Sequence, residues 1–133
     1  MGRDVDKQQV LIVEDEMLLR LMLQDVLEEA GFAVKVSANG EEAIESFESR
    51  DTAYVALVTD IHLSRAGITG WDVARRAREL DGALAVIYTT GAAADEWPSN
   101  GVPNSILITK PYAPAQIVTA VSHLLTAGSA TGL

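Results

Sequence analysis

The sequence predicts an α/β fold: one parallel sheet with helices packed on both of its faces. Short apolar runs alternate with amphipathic stretches five times along the 133 residues, and the links between them are short. That order calls for parallel strands joined by right-handed crossovers. The central run, Ala53-Tyr54-Val55-Ala56-Leu57-Val58-Thr59, holds six apolar residues and one threonine with no alternation, as a strand buried on both faces requires. It then stops on Asp60. Ligands of open parallel sheets gather outside the carboxyl ends of the strands. Asp60 therefore stands at the mouth of a crevice, unless it only caps a helix or closes a turn.

The other elements follow in order. Residues 1–8 are polar and charged and make an N-terminal tail. Gln9-Val10-Leu11-Ile12-Val13 is a buried strand ending on Glu14-Asp15-Glu16. A helix over 16–30 is closed by Gly31; its stripe Leu19, Leu23, Val26, Leu27 and Ala30 is enough to pack on a sheet. Residues 32–36 alternate weakly, as a strand near an edge does. After the turn at 37–40 comes an amphipathic helix over 41–49 with Ala43, Ile44 and Phe47 inward. Residues 61–70 are loop. The helix over 71–80 buries Trp71, Val73, Ala74 and Ala77 and leaves Arg75, Arg76 and Arg78 in water. A fourth strand over 83–89 ends on Thr90-Gly91. Pro98, Gly101 and Pro103 keep any helix in 92–104 short. The fifth strand, 105–109, ends on Lys110-Pro111. Pro114 opens a last helix with Ile117, Val118, Val121, Leu124 and Leu125 on one face, stopping near Gly128. This makes one domain over 9–127, with a C-terminal tail at 128–133.

Composition narrows the function. There is no cysteine, hence no disulfide framework and no thiol chemistry. No apolar run reaches the length of a membrane span, and the N-terminus lacks a signal peptide's apolar core, so a soluble cytoplasmic protein is expected. A net charge of −9 argues against direct nucleic-acid partners and an anionic membrane surface.

Four of the five strands deliver a chemically useful group to one edge: Glu14, Asp15 and Glu16 from the first, Asp60 from the third, Thr90 from the fourth and Lys110 from the fifth. Taken singly, the acids could favour a helix N-terminus, Thr90 a turn, and Lys110 a solvated surface. Taken together, they compose a site for a phosphoryl group and a divalent metal. Clustered carboxylates need a cation to neutralise them, and Mg²⁺ suits hard oxygen ligands completed by water and phosphate. A carboxylate can itself be the nucleophile and form an acyl phosphate. The Lys110 ammonium and the Thr90 hydroxyl would then serve phosphoryl oxygens.

Four motifs in this order, Val10-Leu11-Ile12-Val13-Glu14-Asp15-Glu16, Leu57-Val58-Thr59-Asp60, Tyr88-Thr89-Thr90-Gly91 and Thr109-Lys110-Pro111-Tyr112, make the chain resemble a receiver domain of the two-component response regulators, of the single-domain type. The resemblance covers about residues 9–127. It implies a doubly wound, five-stranded, flavodoxin-like sheet of order 2-1-3-4-5. It also implies that Asp60 accepts a phosphoryl group from a histidine kinase or histidine phosphotransfer protein, a phosphoacceptor's role rather than an enzyme's. It implies Mg²⁺ held by Asp15, Asp60 and the His62 backbone carbonyl, with Glu14 acting through water. Thr90 and Lys110 would contact the phosphoryl oxygens, and the Lys110-Pro111 bond would be cis. The His62 side chain itself should face solvent. His123 should be exposed or at an edge, and Trp71 and Trp97 should serve packing.

Departures from the family pattern are specific. Ser64 stands where a proline is usual, and the loop after Asp60 runs about two residues long. Leu107 occupies the position usually held by an aromatic switch residue, so signalling should pass through the Thr90 loop and segment 92–104.

Other chemistries fit less well. An aspartate-nucleophile phosphatase wants a second Asp two residues after the nucleophile, where His62 stands. A flavin carrier wants a phosphate-binding loop after the first strand, where Glu14-Asp15-Glu16 would repel phosphate without a metal. A degenerate receiver that signals without phosphorylation would not need intact Asp15, Asp60, Thr90 and Lys110. In the first helix, Met17, Leu18, Leu21 and Met22 are surplus to the packing stripe. Lying beside Asp15, and where the family resemblance implies that phosphotransfer partners dock, their exposed members are the expected contact for a histidine-bearing helical domain. The downstream partner would be another protein.

Overall fold

The computed structural model describes residues 7–63 and 67–131. Most of the expected N-terminal tail, Ser64 and the last two residues lie outside them. Five strands, β1 (Gln9–Val13), β2 (Ala33–Ser37), β3 (Tyr54–Asp60), β4 (Ala85–Thr90) and β5 (Ser105–Thr109), form one parallel sheet of order β2-β1-β3-β4-β5. Five helices alternate with them: α1 (Met17–Glu29), α2 (Gly40–Ser49), α3 (Gly70–Leu80), α4 (Trp97–Asn100) and α5 (Pro114–Thr131). The fold is the doubly wound, flavodoxin-like one that the sequence predicts.

Strand alternation splits the core in two. Leu11, Val13, Leu57, Val86 and Tyr88 face α2 and α3, whose Ala43, Phe47, Trp71, Val73, Ala74 and Ala77 are buried. Val10, Ile12, Ala56, Val58 and Ile87 face α1 and α5, meeting Leu23, Leu27, Ile117, Ala120 and Val121. Each fully buried large aliphatic contributes roughly 1.5–3 kcal/mol, so the central strands anchor the carboxyl edge firmly. Helix starts are set locally. The Asn39 side chain accepts the Glu42 N–H at 2.9 Å, and Thr69 and Asp72 close a reciprocal cap on α3 at 2.9 and 3.3 Å. Gly31, at φ 101°, ends α1 in the left-handed region that suits glycine.

Four local expectations change. Ala30 is exposed and Leu19 only half-buried, because α1 packs chiefly through Leu23 and Leu27. The fourth strand starts at Ala85; Leu84 is still turning, its N–H bound to the Asp81 carbonyl at 3.2 Å. Arg78 is half-buried and held: its guanidinium donates to the carbonyls of Leu84 and Pro103, each at 2.6 Å, and of Asn104 at 3.3 Å. Helix α5 runs past Gly128 to Thr131. The short-helix expectation for 92–104 holds, with one 3₁₀ turn at Ala94–Glu96 before the four-residue α4. Trp97 packs half-buried and donates to Ser105 Oγ at 3.0 Å.

Candidate functional site

The carboxyl edge gathers the groups named from the sequence. Glu14 follows β1 and is buried, its N–H extending the ladder to the Ser37 carbonyl at 3.1 Å. Asp15 is half-buried beside it. Asp60 is the buried last residue of β3, Thr90 the buried last residue of β4, and Lys110 follows β5. Alternation places Glu14, Asp60 and Lys110 on the side of Ile12, Val58 and Ile108, which faces α1 and α5. His62 is exposed two residues beyond Asp60, as expected, and His123 is exposed on α5.

The backbone under Asp60 is fixed from several sides. Thr59 Oγ1 donates to the Asp60 carbonyl at 2.9 Å, the Ile61 N–H reaches the Thr89 carbonyl at 3.0 Å, and the Gly70 N–H reaches the Ile61 carbonyl at 2.8 Å. A Cβ at Gly70 would collide with the Asp60 carbonyl oxygen. The first residue of α3 must therefore be glycine for the helix to seat against the end of β3. The Lys110 N–H binds the Thr90 carbonyl at 2.8 Å, and the Lys110-Pro111 bond is cis.

Lys110 Nζ lies 3.0 Å from Asp60 Oδ2 and 3.6 Å from Glu14 Oε1. Glu14 Oε2 accepts the Glu16 N–H at 3.1 Å. Burial pushes the Glu14 carboxyl up to about 7, with the Asp60 charge adding and the Glu16 N–H and Lys110 opposing. Burial also raises Asp60, against the hydrogen bond and charge of Lys110. For Lys110, burial alone would lower the ammonium; the hydrogen bond and charge of Asp60, with Glu14 behind, raise it on balance. So one cation serves two buried acids, and negative charge is under-compensated.

One carboxylate oxygen each from Glu14, Asp15 and Asp60 lies within 4.8 Å of the others. An all-oxygen donor set of excess charge, with Glu14 Oε1 lacking a hydrogen-bond partner among the described residues, fits a hard divalent cation such as Mg²⁺. Thr90 Oγ1 accepts the N–H groups of Ala92 at 3.1 Å and Ala93 at 2.8 Å, which leaves its O–H to donate.

Sequence reasoning missed three neighbours of the site. Arg20 reaches from α1 to donate to the Glu14 carbonyl at 2.9 Å; nothing in its spacing announces a contact across a loop. The hydroxyls of Thr89 and Tyr112 are buried close by. Both residues stand inside the quoted motifs, which was the available signal. Leu107 is half-buried and pairs in register with Tyr88, whose ring lies 4.8 Å from that of Trp71.

A response regulator receiver domain model matches residues 10–122. A response regulator receiver protein of Sinorhizobium medicae is 43% identical with a TM-score of 0.89, over 93% of this chain and 98% of that one. The receiver protein CpdR of Brucella abortus is 31% identical over 89% of this chain and 97% of its own length. The structure of TrrA from Thermotoga maritima, in complex with Mg²⁺ and BeF, is 26% identical with a TM-score of 0.75, over 88% of this chain and 98% of that one. Some further relatives are longer, and this chain spans 50% of them. The match of fold, motifs and strand-end acids places the chain in the response regulator receiver domain family of two-component signalling.

Proposed function

We propose that this receiver unit, residues 9–127, accepts a phosphoryl group on Asp60 from a histidine kinase or histidine phosphotransfer protein and signals or relays through protein contacts. The convergence of Asp60, Lys110, Glu14 and Asp15 at one edge carries that reading. An Asp60 carboxylate oxygen attacks phosphorus, the P–N bond to the donor imidazole breaks, and an acyl phosphate forms while the imidazole leaves with its electron pair and takes up a proton. Lys110, already 3.0 Å from Asp60, is placed to follow a phosphoryl oxygen. The Thr90 hydroxyl, held by two backbone N–H groups, donates to another. Asp15, Asp60 and the His62 carbonyl would hold Mg²⁺, with Glu14 acting through water. When bound, the cation neutralises the acids and the phosphoryl oxygens. The Mg²⁺ and BeF complex of the related TrrA supports that choice. The chain acts as a phosphoacceptor, not as an enzyme with its own small-molecule substrate.

Receiver domains work with histidine kinases or phosphotransfer proteins. The docking surface in this chain is the outer face of α1, where Met17, Leu18, Leu21 and Met22 are 60, 74, 50 and 41% exposed. A cytoplasmic location suits these partners, and no helix among the described residues is long and apolar enough to cross a membrane.

The test is intact mass spectrometry after acetyl phosphate. One phosphoryl adduct should form with Mg²⁺, fail to form when EDTA is present, and be absent from Asp60→Ala. Equal labelling of Asp60→Ala sinks the assignment.

A further inference from the structure

Arg20 stands in the first turns of α1, its N–H bonded to the Glu16 carbonyl at 2.9 Å. Helical side chains lean toward the N-terminus of their helix, and the half-buried Arg20 follows that direction back to the end of β1. Its Nη1 donates to the backbone carbonyl of Glu14 at 2.9 Å. β1 has stopped at Val13, and Glu14 adds one last ladder bond through its N–H to the Ser37 carbonyl. Its own carbonyl takes a guanidinium N–H, and hydrogen bonds from a charged donor are the stronger kind.

That carbonyl belongs to the peptide joining Glu14 to Asp15. A peptide unit is planar and contains the Cα atoms of both residues. A grip on its oxygen therefore sets the direction in which both carboxylates leave the backbone. Glu14 and Asp15 supply two of the three carboxylate oxygens that lie within 4.8 Å of one another. The Glu16 N–H ties the Glu14 side chain at Oε2; Arg20 ties the backbone that carries both acids. By charge alone, a guanidinium beside this cluster would repel a divalent cation. Its benefit to a metal site must be geometric.

We propose that Arg20 is a positioning residue for the acid cluster: by holding the Glu14 carbonyl it keeps the Glu14 and Asp15 carboxylates where they share a cation with Asp60. Partners one step outside a metal's ligands set affinity by fixing the ligands' orientation. The proposal rests on the metal reading above and adds to it a residue of α1.

Calorimetric titration of Mg²⁺ into the full chain, without any phosphodonor, tests it. Arg20→Met keeps the apolar stem and removes both the donor and the charge. The Mg²⁺ dissociation constant should rise roughly tenfold. The sign decides, because loss of a mere repelling charge would tighten binding instead. Arg20→Lys keeps the charge and a donor for the single contact, and should recover most of the affinity. Tighter binding by Arg20→Met overturns the proposal. So does an unchanged constant with only a lower urea midpoint, the mark of a structural residue. Arg20→Lys as weak as Arg20→Met overturns it too, since any change at the position would then harm the site. Should Arg20→Met fail to fold, Arg20→Gln takes its place, and wild-type or tighter binding by that variant is decisive against the tie. Absence of Mg²⁺ binding by the wild-type chain would overturn the metal reading itself, and this proposal with it.

Discussion

The phenolic oxygen of Tyr88 accepts the backbone N–H of Val102 at 3.1 Å, tying β4 to the irregular chain that leads into β5. Arg75 and Arg78 reach the same chain from α3 through the carbonyls of Asn100, Pro103 and Asn104. With α4 only four residues long, segment 92–104 depends on these side-chain ties more than on helical hydrogen bonds.

That dependence directs the first prediction. Thr90 Oγ1 holds the N–H groups of Ala92 and Ala93, so turning it toward a phosphoryl group disturbs the start of the segment. Leu107 has no ring or hydroxyl to swing. Amide exchange with and without beryllofluoride should therefore change across 91–104. Changes confined to the neighbourhood of Leu107 would refute it. Tyr88→Phe, which orphans the buried Val102 N–H, should lower stability by about 1–3 kcal/mol in urea unfolding.

A second prediction concerns pH. The Glu14 carboxyl moves from 4.5 unfolded to about 7 folded, so between those values the folded state binds more protons. Its stabilising contribution is complete below about pH 4.5 and is lost as pH rises through 7. Asp60, also raised, works in the same direction. The loss attached to Glu14 is on the order of 3 kcal/mol. Urea midpoints in EDTA should fall from pH 5 to pH 8 more steeply in the wild-type chain than in Glu14→Gln. Parallel slopes would rule out Glu14 as the group.

The α1 face gives a third. Met17→Ser with Leu18→Gln removes two exposed apolar residues and no core contact. Phosphotransfer from a protein donor should slow by an order of magnitude or more, as loss of contact-surface anchors does, while labelling by acetyl phosphate stays unchanged. Two rates falling together would assign the patch a structural role.

Gly70 gives the fourth. Gly70→Ala drives a methyl into the Asp60 carbonyl and Ile61 Cα, where backbone cannot yield. Overpacking costs about 1–3 kcal/mol, and the displaced strand end should slow Asp60 labelling as well. Wild-type stability and labelling would show that α3 can shift without cost.

The sequence by itself determined the sheet, its helices and the edge where the acids and Lys110 gather. Apolar periodicity is local, and the motifs carrying Asp15, Asp60, Thr90 and Lys110 lie at predictable strand ends. It also determined that Met17, Leu18, Leu21 and Met22 exceed one packing stripe. Tertiary structure alone decided what lies across the chain from what. Arg78 looks like a solvated helix arginine until β4 and segment 103–104 are folded beside it. Tyr88 looks like one more buried strand residue until its hydroxyl meets Val102, 14 residues away. Thr89 comes beside Asp60 only when β4 pairs with β3, and Tyr112 reaches the α1–α5 side of the sheet only when the turn after β5 is folded. Hydrogen bonds need distances of about 3 Å and correct angles, and no sequence period encodes such meetings between distant segments.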